Sequence, residues 1–321
     1  MSKNHLKNIS LLILMLIILF SSSSCQTKQI DNNPTFISNY VEENGTLIVA
    51  HRGYAAIAPE NTISAFEEAK KAGAKACEFD VQISEDDVLV VIHDNTVDRT
   101  TNGSGKVKQL SYEYLSTLDA GSWKDEKYTG EKIPTLKETL TYLKQNNMIA
   151  VLEIKASNIE EDVINLIYET EMQEKTIIIG FSKSTISNTL KLDSSIPSLL
   201  LIKKNSCMTG SSLDKVKGIE SELKRVKTKY IGPYSFQLEK LDTASSSLAK
   251  SLMKKSKDPG TLPLALDKET ITLLHDKGYF INVWTVDNEE NMRDLISNNI
   301  DILTTNYLEK AISIKDELNN K

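Results

Sequence analysis

Short apolar runs alternate with amphipathic stretches along most of the chain. Eight runs read as β-strands: TLIVAH (46–51), ACEFDVQI (76–83), IAVLEIK (149–155), TIIIGF (176–181), SLLLI (198–202), KYIGPY (229–234), YFINVWTV (279–286) and DILTT (301–305). Between them, stretches such as ENTISAFEEAKKAG, TLKETLTYLKQNN and NEENMRDLISNN place apolar residues at helical spacing. Strand and helix in alternation predict a parallel α/β fold, and eight such units match a TIM (β/α)8 barrel. Two segments break the alternation. After the second strand comes an extra strand, VLVVIHD (88–94), and then a turn-rich insertion over 95–134, too long for an ordinary connection. Residues 235–266 form a second irregular region, and no linker divides the chain into two domains.

Polar residues inside the strands carry the chemistry. Successive side chains alternate faces, so Glu78 and Asp80 share one face of the second strand while Cys77, Phe79 and Val81 share the other. The third strand repeats the pattern, with Val151, Glu153 and Lys155 on one face and Leu152 and Ile154 on the other. Two ionised carboxylates about 6–7 Å apart repel by about 2–3 kcal/mol at an effective dielectric of about 20, so a buried set requires a cation. Carboxylate oxygens suit Mg²⁺ or Ca²⁺, whereas Zn²⁺ more often draws on His or Cys. Reactive groups of a barrel lie at the C-terminal ends of its strands. The sequence places His51 and Trp284 at such ends, and His93 at the end of the extra strand. Two imidazoles there suit general acid and base catalysis, because they titrate near neutral pH. His275, in the helical ITLLHDKG, reads as a surface residue near a helix C-terminus. Cys77 reads as a buried thiol and Cys207 as a loop residue, neither catalytic.

Composition narrows the partners. With 321 residues, 40% hydrophobic and 26% charged, the chain has the material for a large core, and a net charge of −6 without a basic stripe argues against nucleic acid. At the N-terminus Lys3 and Lys7 precede the apolar run ISLLILMLIILF (9–20), and SSSSC follows. That run is shorter than the roughly 20 residues of a membrane span. The small residues before Cys25 resemble the processing site of bacterial lipoproteins. This layout predicts a lipoprotein-type signal peptide over 1–24, acylation of Cys25, a polar tether over 25–44 and a barrel over 45–315. The protein is then expected outside the cytoplasm, anchored to a bacterial membrane by lipid on its periplasmic or cell-surface side, with no protein partner.

The pieces AHRGYAAIAPENTISAF, CEFDVQIS, VLVVIHDNTVDRTTNGSGKV, IPTL, VLEIK and NVWTVDN, in that order over nearly the whole mature chain, resemble the glycerophosphodiester phosphodiesterase family. The resemblance implies metal-dependent hydrolysis of glycerophosphodiesters to glycerol 3-phosphate and an alcohol. It implies Glu78, Asp80 and Glu153 as ligands of a divalent Ca²⁺ or Mg²⁺, and His51 and His93 as the acid and base. Arg52 and Lys155 are implied to hold the phosphate, Glu60 of PENT to serve as a metal-side or hydrogen-bonding group, and Trp284 to pack against glycerol. Residues 95–134 correspond to a small cap over the barrel mouth, within which Trp123 and Tyr128 are expected to pack. Phe181 of GFSK lies close to a family Ser-Phe position.

The sequence also departs from the family pattern. Asn306 and Leu308 replace the usual Asp and Pro of a Thr-Asp-x-Pro ending, which is expected to alter the barrel rim more than catalysis. The turn SEDD replaces a Lys-Asp-Gly hairpin, leaving Glu85, Asp86 and Asp87 without a purpose legible in sequence. Two other activities fit the same residues less well. A lysophospholipase D or sphingomyelinase D activity calls for an apolar channel at the cap, which AGSW and SSSLAKSLM do not supply. A catalytically retired phosphodiester-binding lipoprotein does not explain both histidines together with all three carboxylates.

Overall fold

The computed structural model describes residues 36–202, 211–224, 226, 228, 230–233 and 266–320. The strands among them are β1 (Leu47–Ala50), β2 (Ala76–Ile83), β3 (Leu89–Val91), β4 (Ile149–Ile154), β5 (Thr176–Gly180), β6 (Ser198–Ile202), β7 (Tyr230–Pro233), β8 (Phe280–Val283) and β9 (Ile302–Thr305). β1 pairs in parallel with both β2 and β9, and parallel pairing continues from β2 through β4, β5, β6, β7 and β8 back to β9. The ring is therefore closed, and β3 stands outside it as an antiparallel hairpin partner of β2. This is the TIM-barrel-like arrangement that the strand and helix alternation predicts.

The two faces of each strand serve two layers. Inward-facing Leu47, Val49, Val151, Ile179, Leu201 and Ile302 fill the barrel. Outward-facing Cys77, Phe79, Leu152 and Ile154 pack under helices that include α2 (Ile63–Lys71) and α4 (Leu136–Gln145). Cys77 is the buried thiol that its strand face predicts. Phe66 of α2 meets Phe79 edge to face, ring centroids 5.8 Å apart.

Residues 36–44, expected within the polar tether, instead form a helix, α1 (Phe36–Asn44). Ile37 is buried against the barrel interior, with Phe36, Tyr40 and Val41 beside it. Ile37, Tyr40 and Val41 fall at helical spacing on one face. So short an apolar stripe, set among polar residues, does not announce itself in the sequence. The last helix, α10 (Leu308–Asn319), likewise runs past the expected end of the barrel at residue 315.

The segment after β2 has its own core of Val90, Ile92, Val97, Val107, Leu115, Leu118, Ala120 and Ile133, with one short helix, α3 (Tyr112–Thr117). The acidic turn acquires a purpose here. Asp86 accepts hydrogen bonds from Ser84 Oγ (2.6 Å) and from the Tyr112 backbone N–H at the start of α3 (2.8 Å), and Asp87 occupies a left-handed position, φ 61°. Lys124 Nζ donates to the carbonyls of Ala55 (2.7 Å) and Ala56 (3.0 Å), and Tyr128 Oη to that of Ile57 (3.2 Å), so the segment is fastened to the loop after β1. Trp123 does not pack fully within the segment. Its indole N–H donates to Ala120 O (2.9 Å), but the residue is 39% exposed.

His275 sits in the last turn of its helix, as the sequence predicts, and is partly buried there. It lies in α8 (Lys268–Asp276), counting α5 (Glu160–Glu169), α6 (Lys183–Leu192) and α7 (Ser212–Leu223) before it, with α9 (Glu289–Ser297) after it. Its Nε2 is 2.9 Å from Asp301 Oδ2, the same oxygen that accepts from Ile281 N (2.8 Å). One carboxylate thus ties α8 to β8 and to the start of β9. Cys25, Cys207, the signal-peptide region and residues 235–265 lie outside the described residues. No helix among the described residues is long and apolar enough to cross a membrane.

Candidate active site

The register of the barrel places the site. Ala50 pairs with Cys77 on one side and with Thr305 on the other, so the residue after β1, His51, sits level with Glu78 and with the end of β9. Asp80 pairs with Glu153 across β2 and β4. One carboxylate oxygen from each of Glu78, Asp80 and Glu153 falls within 4.8 Å of the others, and all three residues are buried. Burial, then repulsion from Asp80 and Glu153, holds the Glu78 carboxyl well above the usual range. Burial and Asp80 raise Glu153 to about 7.

Two cations flank this cluster. Arg52 Nε lies 3.5 Å from Asp80 Oδ2, and Lys155 Nζ lies 3.5 Å from Asp80 Oδ1 and 3.1 Å from Glu153 Oε1. Burial alone would lower both basic groups, but the carboxylates around them prevail and raise both. Arg52 Nε is buried without a hydrogen-bond partner among the described residues. Three converging carboxylates without a thiolate or imidazole in the set, their repulsion only partly offset, fit a hard divalent cation.

The chain turns sharply to deliver Arg52. Its φ is 51° and that of Gly53 is 72°. A Cβ on Gly53 would fall 2.7 Å from Ala65 Cβ, so the turn requires glycine on both counts. The turn also aims the Arg52 backbone N–H at Glu78 Oε2, 2.9 Å away.

Glu60 sits among basic groups. It accepts from Arg52 Nη1 (2.8 Å) and from both terminal nitrogens of Arg99 (2.8 Å each). Burial opposes ionisation, yet hydrogen bonds from Arg99 and the charge of Arg52 bring its pKa down to about 2. Arg99 also reaches Asp94 Oδ2 through Nε (2.6 Å), and Asp94 Oδ1 lies 2.6 Å from His93 Nδ1. A continuous chain of His93, Asp94, Arg99, Glu60 and Arg52 therefore joins the outer histidine to the carboxylate cluster. Glu60 acts here as a hydrogen-bonding group, outside the cluster itself.

His51 faces the cluster directly. Its Nε2 is 3.9 Å from Glu78 Oε2, and its Nδ1 is 2.8 Å from Asn306 Oδ1. Burial, then the Arg52 charge, lowers the imidazole pKa against the opposing Asn306 hydrogen bond. Asn306 is thus more than a rim residue, since it holds the histidine. Leu308, at the other replaced position, is buried in the outer core. Phe181 and Trp284 meet edge to face, ring centroids 5.3 Å apart, next to the barrel interior.

The structure thus gathers His51, Arg52, Glu78, Asp80, Glu153 and Lys155 at the C-terminal end of the strands, links His93 and Glu60 to them, and sets Phe181 and Trp284 together. It adds residues that sequence reasoning left without a role. Asn61, buried with φ 62°, donates from Nδ2 to Asp80 Oδ2 (2.9 Å) and accepts from Asp80 N (3.2 Å). Asn61, Asp94 and Arg99 belong to PENT, HD and RTT, motifs whose presence was the available signal. A cleft of about 580 Å³ opens elsewhere, lined by Tyr40, Gly45, Gly73, Lys75 and Lys315. It lies toward the starts of β1 and β2, away from these groups.

Comparison with known proteins agrees with this arrangement. The sequence model of the glycerophosphoryl diester phosphodiesterase family matches residues 51–310. A glycerophosphodiester phosphodiesterase of Caldanaerobacter subterraneus subsp. tengcongensis is 43% identical over 152 residues, a match spanning 46% of this chain and 63% of that protein. A glycerophosphodiester phosphodiesterase of Bacillus subtilis is 29% identical over 290 residues, covering 84% of this chain and 86% of the relative. In fold, the chain is similar to an Oleispira antarctica phosphodiesterase solved with its product sn-glycerol-3-phosphate, with a TM-score of 0.66 and 23% identity over 86% of this chain and 99% of that one. The chain belongs to the glycerophosphoryl diester phosphodiesterase family.

Proposed function

We propose that the protein hydrolyses glycerophosphodiesters to glycerol 3-phosphate and an alcohol. The observation that carries this reading is the buried cluster of Glu78, Asp80 and Glu153, flanked by Arg52 and Lys155 and faced by His51. Glu78, Asp80 and Glu153 would hold a divalent cation, Ca²⁺ or Mg²⁺. When bound, such an ion offsets the charge on phosphate oxygens and so makes the diester open to attack. Arg52 and Lys155, which flank the three carboxylates, would turn toward the phosphate oxygens and offset their charge. His51 and His93 share the proton work. One imidazole takes the proton of the attacking hydroxyl and the other gives a proton to the departing alkoxide; attack by water yields glycerol 3-phosphate directly, whereas attack by the neighbouring glycerol hydroxyl yields a cyclic phosphate that water then opens, with the two imidazoles exchanging roles. Phe181 and Trp284 supply an apolar wall for the glycerol carbons, and residues 95–134, with part-exposed Trp123 among them, serve as a cap that helps choose the leaving alcohol. Export and acylation at Cys25 would place this activity at a membrane surface, which incorporation of labelled palmitate into the wild type but not into Cys25→Ser tests.

The deciding experiment is incubation of purified protein with a panel of glycerophosphodiesters and lysolipids, with and without EDTA, followed by assay of glycerol 3-phosphate and released alcohol. Turnover of glycerophosphodiesters that EDTA abolishes and that His51→Ala or His93→Ala eliminates is expected. Unchanged turnover after exhaustive chelation removes the metal, and full activity in either variant removes that histidine's role. Preference for lysolipids transfers the assignment to the lysophospholipase D reading.

A further inference from the structure

Resting on the reading of His51 as a catalytic group, we infer that Asp287 and Asn306 form a two-residue relay that fixes the tautomer of His51 and so reserves its Nε2 lone pair for accepting a proton. Asn306 offers two chemically different ends, a carbonyl oxygen and an NH₂ group, and its neighbours decide which faces where. Asp287 Oδ2 lies 2.8 Å from one end of the Asn306 amide, and Asp287 Oδ1 accepts the Asn306 backbone N–H at 2.8 Å and the Thr305 hydroxyl at 3.2 Å. A carboxylate oxygen only accepts, so the amide end beside it is the NH₂ group. The carbonyl oxygen then faces His51 Nδ1 at 2.8 Å. Since that oxygen also only accepts, Nδ1 carries the proton, and in the neutral ring Nε2 bears the lone pair.

The backbone secures the same geometry. His51 N donates to Thr305 O at 3.0 Å and Val286 N to Thr304 O at 2.9 Å, so the strand ends carrying His51, Asn306 and Asp287 are clamped together. Nε2 points toward Glu78, on the side of the carboxylate cluster. Asp287 and Asn306 are positioning residues, since neither needs to touch the substrate. The relay also separates the histidines chemically. His51 leans on a neutral amide whose orientation is imposed by a carboxylate, while His93 leans on the carboxylate of Asp94 directly. The relay thereby holds neutral His51 ready to accept a proton at Nε2.

The test exploits near-isosteric exchanges. In Asp287→Asn the amide oxygen keeps the backbone bond, but its NH₂ now faces Asn306 and turns that amide over, presenting NH₂ to His51. Nδ1 must then accept, and the proton moves to Nε2. A fall in kcat of about 100-fold or more, with little change in KM, is expected for a misassigned tautomer. The double exchange Asp287→Asn with Asn306→Asp restores an acceptor facing His51 and a donor behind it, and is expected to recover most of the lost kcat. Nitrogen-15 NMR of histidine-labelled wild type should show neutral His51 protonated at Nδ1, and Asp287→Asn should shift it toward Nε2. Wild-type His51 protonated at Nε2, an unimpaired Asp287→Asn, or a double variant no better than the single overturns the relay. Full activity in His51→Ala overturns instead the catalytic reading on which the relay rests.

Discussion

Asn61 shows how the reactive residues depend on neighbours that have no chemistry of their own. Its side chain grips both the carboxylate and the backbone N–H of Asp80, and so fixes where that oxygen points. Groups that orient a metal ligand typically contribute about 10–100-fold in metal affinity or activity. Asn61→Ala is therefore expected to weaken divalent-cation binding by about that factor, read by calorimetric titration, with the fold preserved by far-UV circular dichroism. The charged members of the site were legible in the sequence because acids inside an apolar strand are anomalous, and histidines at strand ends are few. Their orienting partners were not. Asn306 is 255 positions from His51, and Asn61 is 19 positions from Asp80 across a turn of left-handed backbone. An amide in a loop has no periodic pattern to betray it.

The helices and strands were legible to the extent that their apolar periodicity is long enough to count. β2, with eight residues, and β6, with five, appear with the bounds that alternation and burial predict. β3 shrinks to three residues, though Ile92 N still donates to Asp80 O (2.9 Å) and Gln82 Nε2 to the carbonyls of His93 and Asp94, which the chain then brings to the site. α1 escaped notice, yet Ile37 is only 1% exposed. Removing a buried aliphatic side chain costs about 2–4 kcal/mol, so Ile37→Ala should lower the urea midpoint accordingly without altering catalysis, which lies at the other end of the strands. His275 and Asp301 make a second test between elements. The hydrogen bond that His275 donates to Asp301 raises the His275 pKa, with burial opposing. A histidine whose folded pKa is raised contributes stability that is full below its unfolded value and is lost as pH rises through the folded one. His275→Gln should therefore destabilise the protein more at about pH 5.5 than at about pH 9, as measured by chemical unfolding at each pH.

For the whole molecule, the closed ring separates what holds the fold from what does the chemistry. Aliphatic layers fill the barrel from its start, and the acidic cluster occupies the end where β2 and β4 outrun β1. Like charges repel at that end, and a divalent cation bound there would relieve the repulsion. Saturation to about a hundredfold over Kd contributes about 2.7 kcal/mol through linkage. Ca²⁺ or Mg²⁺ should accordingly raise Tm by several degrees in differential scanning calorimetry, and Glu153→Gln should largely remove that rise. The barrel as a whole was legible because eight repeats of one pattern reinforce each other. The closure of β1 against β9 also has a consequence for biosynthesis. A polypeptide still leaving the ribosome acquires its carboxylates, both histidines and both flanking cations by residue 155, but Asp287 and Asn306 arrive only with the final strands. The closed ring and the hold on His51 therefore form only once the final strands have been made.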